Sequence, residues 1–134
     1  MKYLMDTNTC IAFFRGRSKA IKSRLADVSF ASVVLCAVVK AELYHGMERS
    51  KQRERNKATL DEFFANFVSL PFDDRAAEEY GRIRARLEKK GTPIGPYDLM
   101  IAAIALSNGL TLVTHNTGEF SRIEGLHLED WESS

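Results

Sequence analysis

The sequence is poor in the residues that bind zinc or form disulfides. It contains two cysteines, Cys10 and Cys36, and three histidines, His45, His115 and His127. Both cysteines have apolar neighbours and no CxxC spacing, which predicts buried free thiols in a reducing cytoplasm rather than a disulfide framework. No histidines form an HxxxH or HExxH pair, and this argues against a zinc site.

Targeting segments and long apolar runs are missing as well. The start MKYLMDTN reaches a charge after three apolar residues, which is unlike a signal peptide. The longest nearly uncharged stretch, Val28–Val39, has about half of the ~20 residues that a membrane span needs. A chain of 134 residues, 45% hydrophobic and 28% charged, is typical of one folded domain, and we expect residues 1–134 to form it without a membrane segment.

The net charge of +1 hides an uneven distribution of charge along the chain. Residues 1–60 carry 12 Lys and Arg against 5 Asp and Glu, a balance of +7. Residues 61–134 carry 7 against 13, a balance of −6. Basic surface attracts polyanions and clustered carboxylates hold cations, although two solvated faces without a function are an open alternative.

Strand patterns and helix patterns alternate along the chain. We expect strands at Met1–Met5, Val28–Leu35, VSLPF (68–72) and LTLVTHN (110–116), with helices from Thr9, around Ile21–Leu25, from Cys36, around Leu60–Phe67, over 73–91 and over 97–109. This alternation predicts an α/β fold with a central, mostly parallel sheet of four or five strands and helices on both faces. Ligands bind beyond the carboxyl ends of parallel strands, which is where Asp6 follows the first strand.

Three carboxylates lie in unusually apolar surroundings. Asp6 ends the first strand, although it is also a suitable N-cap for the next helix. Glu42 shares a predicted helix face with an apolar stripe that runs from Leu35 through Val39, where a buried carboxylate needs a cation or hydrogen-bond donors. Asp98 opens the most apolar helix, where the helix dipole alone also stabilises an acid.

A fourth group of polar residues follows the last predicted strand. Thr114, Asn116 and Glu119 in VTHNTGEF offer hydroxyl, amide and carboxylate oxygens, although Asn, Thr and Gly also build ordinary turns. A doubly wound sheet can bring all four positions to one edge. Hard oxygen ligands gathered there suit Mg²⁺ or Mn²⁺, which polarise a phosphodiester and help to ionise water.

Four segments, in this order, resemble the PIN-domain ribonucleases and, more narrowly, the VapC-type toxins of bacterial VapBC toxin–antitoxin pairs. They are LMDTN (4–8), KAELYHG (40–46), PIGPYDLMIAAIA (93–105) and LVTHNTGEF (112–120). The resemblance covers essentially the whole chain. It implies a PIN fold and the cleavage of RNA at an acidic pocket that binds Mg²⁺ or Mn²⁺.

The resemblance also implies roles for individual residues. Asp6, Glu42 and Asp98 fall on the three core acids of the family, which are catalytic groups and metal ligands. Where many members have a fourth acid, an aspartate, this chain has Asn116, with Glu119 three residues later. Either Glu119 supplies the missing charge, or Asn116 is a neutral ligand. The family further implies that hydroxyl or amide groups steady the pocket, namely Thr7 or Asn8, and Thr114.

Partners and substrate follow from the resemblance alone. It implies a homodimer and a small VapB-type antitoxin that wraps the toxin and enters its pocket. Operator DNA would be bound only indirectly, through the antitoxin. The implied substrate is tRNA, cut in the anticodon loop of initiator tRNA, with inhibition of translation as the result.

Several side chains are candidates for contact with RNA. Two basic segments stand out, RSKQRERNK (49–57) and RIRARLEKK (82–90), and in the second Arg82 and Arg86 share one side of a helix. A solvated helix face is the alternative for them. Tyr97, next to Asp98, is placed to stack on a base, although a core role is equally open.

Other functions that need an aspartate after a strand are disfavoured. A haloacid-type phosphatase needs a second acid two residues after the first, where this chain has Asn8. A phosphoacceptor receiver domain needs its aspartate after a middle strand, where only Asp73 and Asp74 occur. A catalytically inactive PIN-like module for RNA binding or regulation stays the alternative, because Asn116 weakens the acidic set.

Overall fold

The computed structural model describes residues 1–132. Ser133 and Ser134 lie outside the described residues, so the expected domain span of 1–134 stays a prediction. The strands within the described range are β1 (Tyr3–Met5), β2 (Val33–Cys36), β3 (Val68–Leu70), β4 (Thr111–Val113) and β5 (Leu128–Glu129). The helices are α1 (Thr7–Phe14), α2 (Lys19–Val28), α3 (Ala37–Glu48), α4 (Arg53–Phe64), α5 (Asp74–Lys89), α6 (Pro96–Ser107) and α7 (Thr117–Phe120), with a 3-10 turn at Phe30–Ser32.

The strands form one parallel sheet in the order β3-β2-β1-β4-β5. Strand β1 is central and pairs with β2 on one side and β4 on the other, so the strand order changes direction at β1. The carboxyl ends of all the strands meet at one edge, and the crevice at such a switch point is where ligands bind. The predicted α/β class and parallel sheet are confirmed.

The centre of the sheet is apolar because helices cover it. Strands β1 and β2 are buried at every residue, as expected for parallel strands between helix layers. Helix α6 buries Leu99 and Ile101–Ala105, which confirms the burial expected from its composition. Cys10 and Cys36 are buried free thiols, also as predicted. No helix among residues 1–132 combines the length and apolar character that crossing a bilayer requires.

The expected second strand over Val28–Leu35 is wrong in its first half. Val28 is the last residue of α2, the 3-10 turn follows at Phe30–Ser32, and β2 begins only at Val33. Between them Ser29 adopts a left-handed φ of 74°, and its hydroxyl accepts a hydrogen bond from the Ala31 amide. An apolar run alone does not distinguish the last turn of a helix from a strand.

Other boundaries shift for local reasons. Helix α1 begins at Thr7 rather than Thr9, because Asp6 caps it. Strand β4 ends at Val113, three residues before the predicted end at Asn116. Strand β5 was not among the expected strands, since two residues are too few to show a periodic pattern.

Trp131 fixes the C-terminal segment to the sheet. Its ring packs edge-on against Tyr3 with centroids 5.1 Å apart, and its Nε1 donates to Glu129 Oε1 at 3.0 Å. The Arg24 guanidinium lies 5.7 Å from the centroid of the same ring and donates to Glu129 Oε1 at 3.1 Å. These contacts hold β5 against β4 and therefore place Asp130 at the carboxyl edge of the sheet.

We predict that Trp131→Ala lowers the free energy of unfolding by about 3–5 kcal/mol, because truncation of a buried tryptophan leaves a cavity. Urea unfolding followed by circular dichroism measures the change. The control is Val68→Ala on β3, where the side chain is 58% exposed, and it should cost less than about 1 kcal/mol. A cost for Trp131→Ala no larger than that of the control would contradict the role of this contact.

Candidate active site

Asp6 lies at the carboxyl end of β1 and begins α1. Its Oδ1 accepts a hydrogen bond from the Thr9 amide at 2.9 Å, and its own amide donates to the Val113 carbonyl at 3.0 Å. The residue is only 4% exposed. Burial raises the pKa of the Asp6 carboxyl, while hydrogen bonds from Thr114 and Thr9 lower it in part. Asp6 is therefore the N-cap of α1, which was the alternative role predicted from the sequence. It is also a buried acid at the carboxyl edge of the sheet.

Glu42 comes from α3 and meets the first turn of α1. Thr7 Oγ1 donates to Glu42 Oε1 at 2.6 Å across 35 residues of sequence. The buried stripe of α3 consists of Val39, Leu43 and Met47. Glu42 is half-buried at the border of this stripe, and the predicted stripe through Leu35 is wrong because Leu35 lies in β2, before α3 begins.

Asp98 lies in the first turn of α6 and is surrounded by other acids. The pKa of its carboxyl is raised to about 6, first by burial and then by the negative charges of Glu119, Asp6 and Glu42, in that order. These charges reach Asp98 from the end of β1, from α3 and from α7. The tertiary structure thus brings Glu119, Asp6 and Glu42 within electrostatic range of Asp98. We call these four residues the acid cluster (Asp6, Glu42, Asp98 and Glu119).

The segment after β4 supplies the fourth acid and its support. Asn116 Nδ2 donates to Glu119 Oε2 at 3.2 Å, and the Asn116 amide donates to Thr114 Oγ1 at 3.0 Å. Thr114 is fully buried, so its hydroxyl connects Asp6 with the start of this turn. Asn8 is exposed on α1 and lines a cleft of about 420 Å³ together with Asn116.

Asp130 was missed by sequence reasoning, although it obeys the same rule as Asp6. It directly follows a parallel strand, β5, and its negative charge contributes to the raised pKa of Asp6. His115 Nδ1 lies 3.0 Å from Asp130 Oδ2 and 3.7 Å from Glu132 Oε2. The available signal in the sequence was an acid directly after LHLE (126–129). That signal predicts a site residue only once Leu128–Glu129 is known to be a strand.

The residues predicted to contact RNA fall in different places. Tyr97 is 59% exposed and lines a cleft of about 340 Å³ with Glu42 and His45, next to the acid cluster. Arg82 is paired with Glu79 at 3.3 Å on α5. Arg86 lines a separate groove beside Arg122, so the structure does not bring these two arginines into the clefts that contain Glu42 or Asn116.

The acid cluster has the chemistry of a site for a hard divalent cation. It offers carboxylate oxygens from four different elements, and such oxygens are the preferred ligands of hard cations. Among residues 1–132, none of its four acids forms an ion pair with a basic side chain. The negative charge is therefore left for an ion, and the roles of the individual acids stay predictions.

We predict that Asp98→Asn stabilises the metal-free protein at neutral pH. The folded-state pKa of Asp98 is raised from 3.8 to about 6, so its protonated form contributes stability that is present below pH 3.8 and lost as the pH rises through about 6. Asparagine removes the repelled charge, and we expect the melting temperature at pH 7 in EDTA to rise by roughly 2–4 °C.

Thermal melts at pH 4 and pH 7 test this expectation. The variant and the parent protein should differ at pH 7 and nearly coincide at pH 4, and a divalent cation should reduce the difference at pH 7. Glu78→Gln, an exposed acid-to-amide change on α5, is the control. Equal shifts in both variants, or no shift at pH 7, would be evidence against charge repulsion at Asp98.

Comparison with known proteins agrees with this architecture. Residues 3–126 match the family model of the PIN domain. Two curated relatives, both named tRNA(fMet)-specific endonuclease VapC, come from Salmonella typhimurium and Shigella flexneri, with 41% and 39% identity over 131 residues and 98% of each chain covered. The fold also matches a chain in the crystal structure of DNA-bound VapBC from Salmonella typhimurium, with a TM-score of 0.93, 41% identity and 98% of both chains covered. The chain therefore belongs to the PIN-domain family and, within it, to the VapC ribonucleases.

Proposed function

We propose that this chain is the toxin of a type II toxin–antitoxin pair and that it acts as an endoribonuclease which hydrolyses tRNA with Mg²⁺ or Mn²⁺. The observation that carries the proposal is the convergence of the acid cluster, in which burial and then the charges of Glu119, Asp6 and Glu42 raise the pKa of Asp98. Like charges gathered without basic partners are the expected arrangement where a divalent cation is held.

The neighbouring neutral groups keep the acids in place. Thr7 holds Glu42, and the Thr9 amide with Thr114 holds Asp6. Asn116 contacts Glu119, which supports Glu119 as the charged fourth member and Asn116 as its positioning residue. When bound to these carboxylates, Mg²⁺ or Mn²⁺ polarises the phosphodiester and lowers the pKa of a water molecule.

The substrate class is inferred from the relatives and from the clefts. The two relatives are named for tRNA(fMet) and align with 98% of this chain, so we infer initiator tRNA as the substrate and its anticodon loop as the cleaved region. Unpaired RNA bases are commonly bound by stacking on aromatic side chains, and exposed Tyr97 lines the cleft that contains Glu42. Loss of initiator tRNA would inhibit translation in the cytoplasm, where we place the protein.

The proposed partners are a VapB-type antitoxin and a second copy of the chain. The antitoxin is inferred from the VapBC complex whose chain this fold matches, and the DNA in that complex suggests that operator binding is indirect. An inactive PIN-like module is not adopted, because the named relatives are nucleases and the three core acids are all present.

We predict that Asp6→Asn reduces Mg²⁺-dependent cleavage of total tRNA by at least roughly 100-fold, because one charge that acts at the reaction centre is lost. Asparagine is also a good N-cap, so α1 should be retained and the circular dichroism spectrum unchanged. Asp27→Asn, an exposed change of the same kind on α2, should cleave normally. Full activity of Asp6→Asn would refute the catalytic role, and an unfolded variant would leave Asp6 with its capping role only.

We also predict that Asn116→Asp tightens Mn²⁺ binding by about fivefold, since one added charge near the ion contributes about 1 kcal/mol in a watery site. Isothermal titration with Mn²⁺ measures the affinity. Asn66→Asp, an exposed change after α4, should leave it unaltered. An unchanged affinity in Asn116→Asp would show that residue 116 does not face the metal.

A further inference from the structure

Helix α1 ends in a turn that carries two arginines. Gly16 has a left-handed φ of 60°, its amide donates to the Phe13 carbonyl at 3.1 Å, and the Arg17 amide donates to the Ala12 carbonyl at 3.0 Å. These two bonds form a Schellman motif, which fixes the backbone on both sides of the glycine. Arg15 and Arg17 are therefore held in defined positions, while their long side chains are exposed.

The two arginines line different clefts, and each cleft also contains residues of the candidate active site. Arg15 lines a cleft of about 330 Å³ together with Glu42. Arg17 lines the cleft of about 420 Å³ together with Asn8 and Asn116. The turn thus places one guanidinium group on the Glu42 side of the site and one on the Asn116 side.

Neither guanidinium has a partner in the part of the chain that the structure describes. Arg15 and Arg17 take part in none of its side-chain hydrogen bonds or ion pairs, whereas Arg84 on α5 is bound to Glu88 at 3.3 Å. Arginine binds phosphate through a planar fork of donors, and an unpaired guanidinium is free to do so.

An acidic site needs positive charge nearby if it is to receive a polyanion. A divalent ion compensates the acid cluster at the reacting phosphate, but it does not hold the rest of the RNA backbone. Helix α1 lies between Asp6 and Arg15, and nine residue steps at about 1.5 Å each separate these two residues by about 13.5 Å along the helix axis. The arginines are thus placed for phosphates that flank the reacting one.

We propose that Arg15 and Arg17 form a phosphate clamp that holds the RNA backbone on two sides of the acid cluster. The proposal rests on the proposed ribonuclease function, since it concerns the substrate of the same site. It assigns RNA contact to the turn at the end of α1. This turn lies outside the two basic segments, 49–57 and 82–90, that the sequence predicted as candidates for RNA contact. Phosphate contacts position RNA without reading its bases, so the clamp contributes affinity rather than sequence specificity.

The test is the salt dependence of RNA binding by the Asp6→Asn variant of the 134-residue chain, which is not expected to cut its ligand. The probe is a fluorescein-labelled synthetic anticodon stem-loop of initiator tRNA, followed by fluorescence anisotropy with Mg²⁺ constant and KCl varied. Arg15→Gln and Arg17→Gln are each expected to lower the slope of log affinity against log salt by about 0.7 and to weaken binding roughly threefold. Arg15→Lys, which keeps the charge, should retain the slope.

Arg84→Gln is the matched control, because it removes one arginine charge from α5. An unchanged slope in the Arg15→Gln/Arg17→Gln double variant, or an equal loss in Arg84→Gln, would overturn the clamp. A lowered melting temperature with an unchanged slope would also overturn it, because the arginines would then only stabilise the end of α1.

Cleavage of the same stem-loop by the unmodified protein distinguishes the clamp from the proposed function. Cleavage together with unaltered binding by the arginine variants would overturn the clamp alone. Binding that depends on both arginines, without any Mg²⁺-dependent cleavage, would overturn the ribonuclease proposal for this substrate and support the clamp.

Discussion

Repulsion between one buried and three half-buried carboxylates is the constraint around which this site is arranged. The pKa of Asp98 is raised by burial and then by three other acids, and the pKa of Asp6 is raised mainly by burial. A fold that only needed stability would pair such groups with lysine or arginine, yet among residues 1–132 the acid cluster contacts neutral donors instead. Hydroxyl and amide groups fix the direction of a carboxylate without cancelling its charge. The charge thus stays available to a cation, at a cost in stability that an ion can offset.

The parallel sheet makes this gathering possible. Because every strand points the same way, the segments that leave β1, β4 and β5 begin at one edge, and α3 follows β2 from the same edge. The central strands β1 and β2 are apolar and buried, so the polar residues are carried by the turns and helix starts just beyond them. The buried helix α6 places Asp98 against this edge, and its first turn is fixed by the core behind it.

The charge around the acid cluster changes from negative at its centre to positive beside it. The centre is negative, Asp130 and Glu132 extend it toward His115, and Arg15 and Arg17 at the end of α1 flank it. In the proposed mechanism, a divalent cation neutralises the centre while the flanks attract the neighbouring phosphates. This proposed arrangement does not require a large positive net charge, and the net charge of the chain is +1.

The sequence by itself determined the α/β class and the burial of α6 and of both cysteines, and it predicted Asp6, Glu42 and Asp98 as candidate acids. Strand and helix periods, end-of-strand acids and family motifs are local in the chain. The tertiary structure alone decided that Val28 ends α2 and that Leu35 lies in β2 rather than in α3, the helix of Glu42. It also decided that the two-residue strand β5 places Asp130 close enough to raise the pKa of Asp6. It also decided that Thr7 holds Glu42 across 35 residues and that Arg17 shares a cleft with Asn116. Such contacts depend on strand order and helix packing, and no pattern within one segment encodes which distant segment will lie beside it.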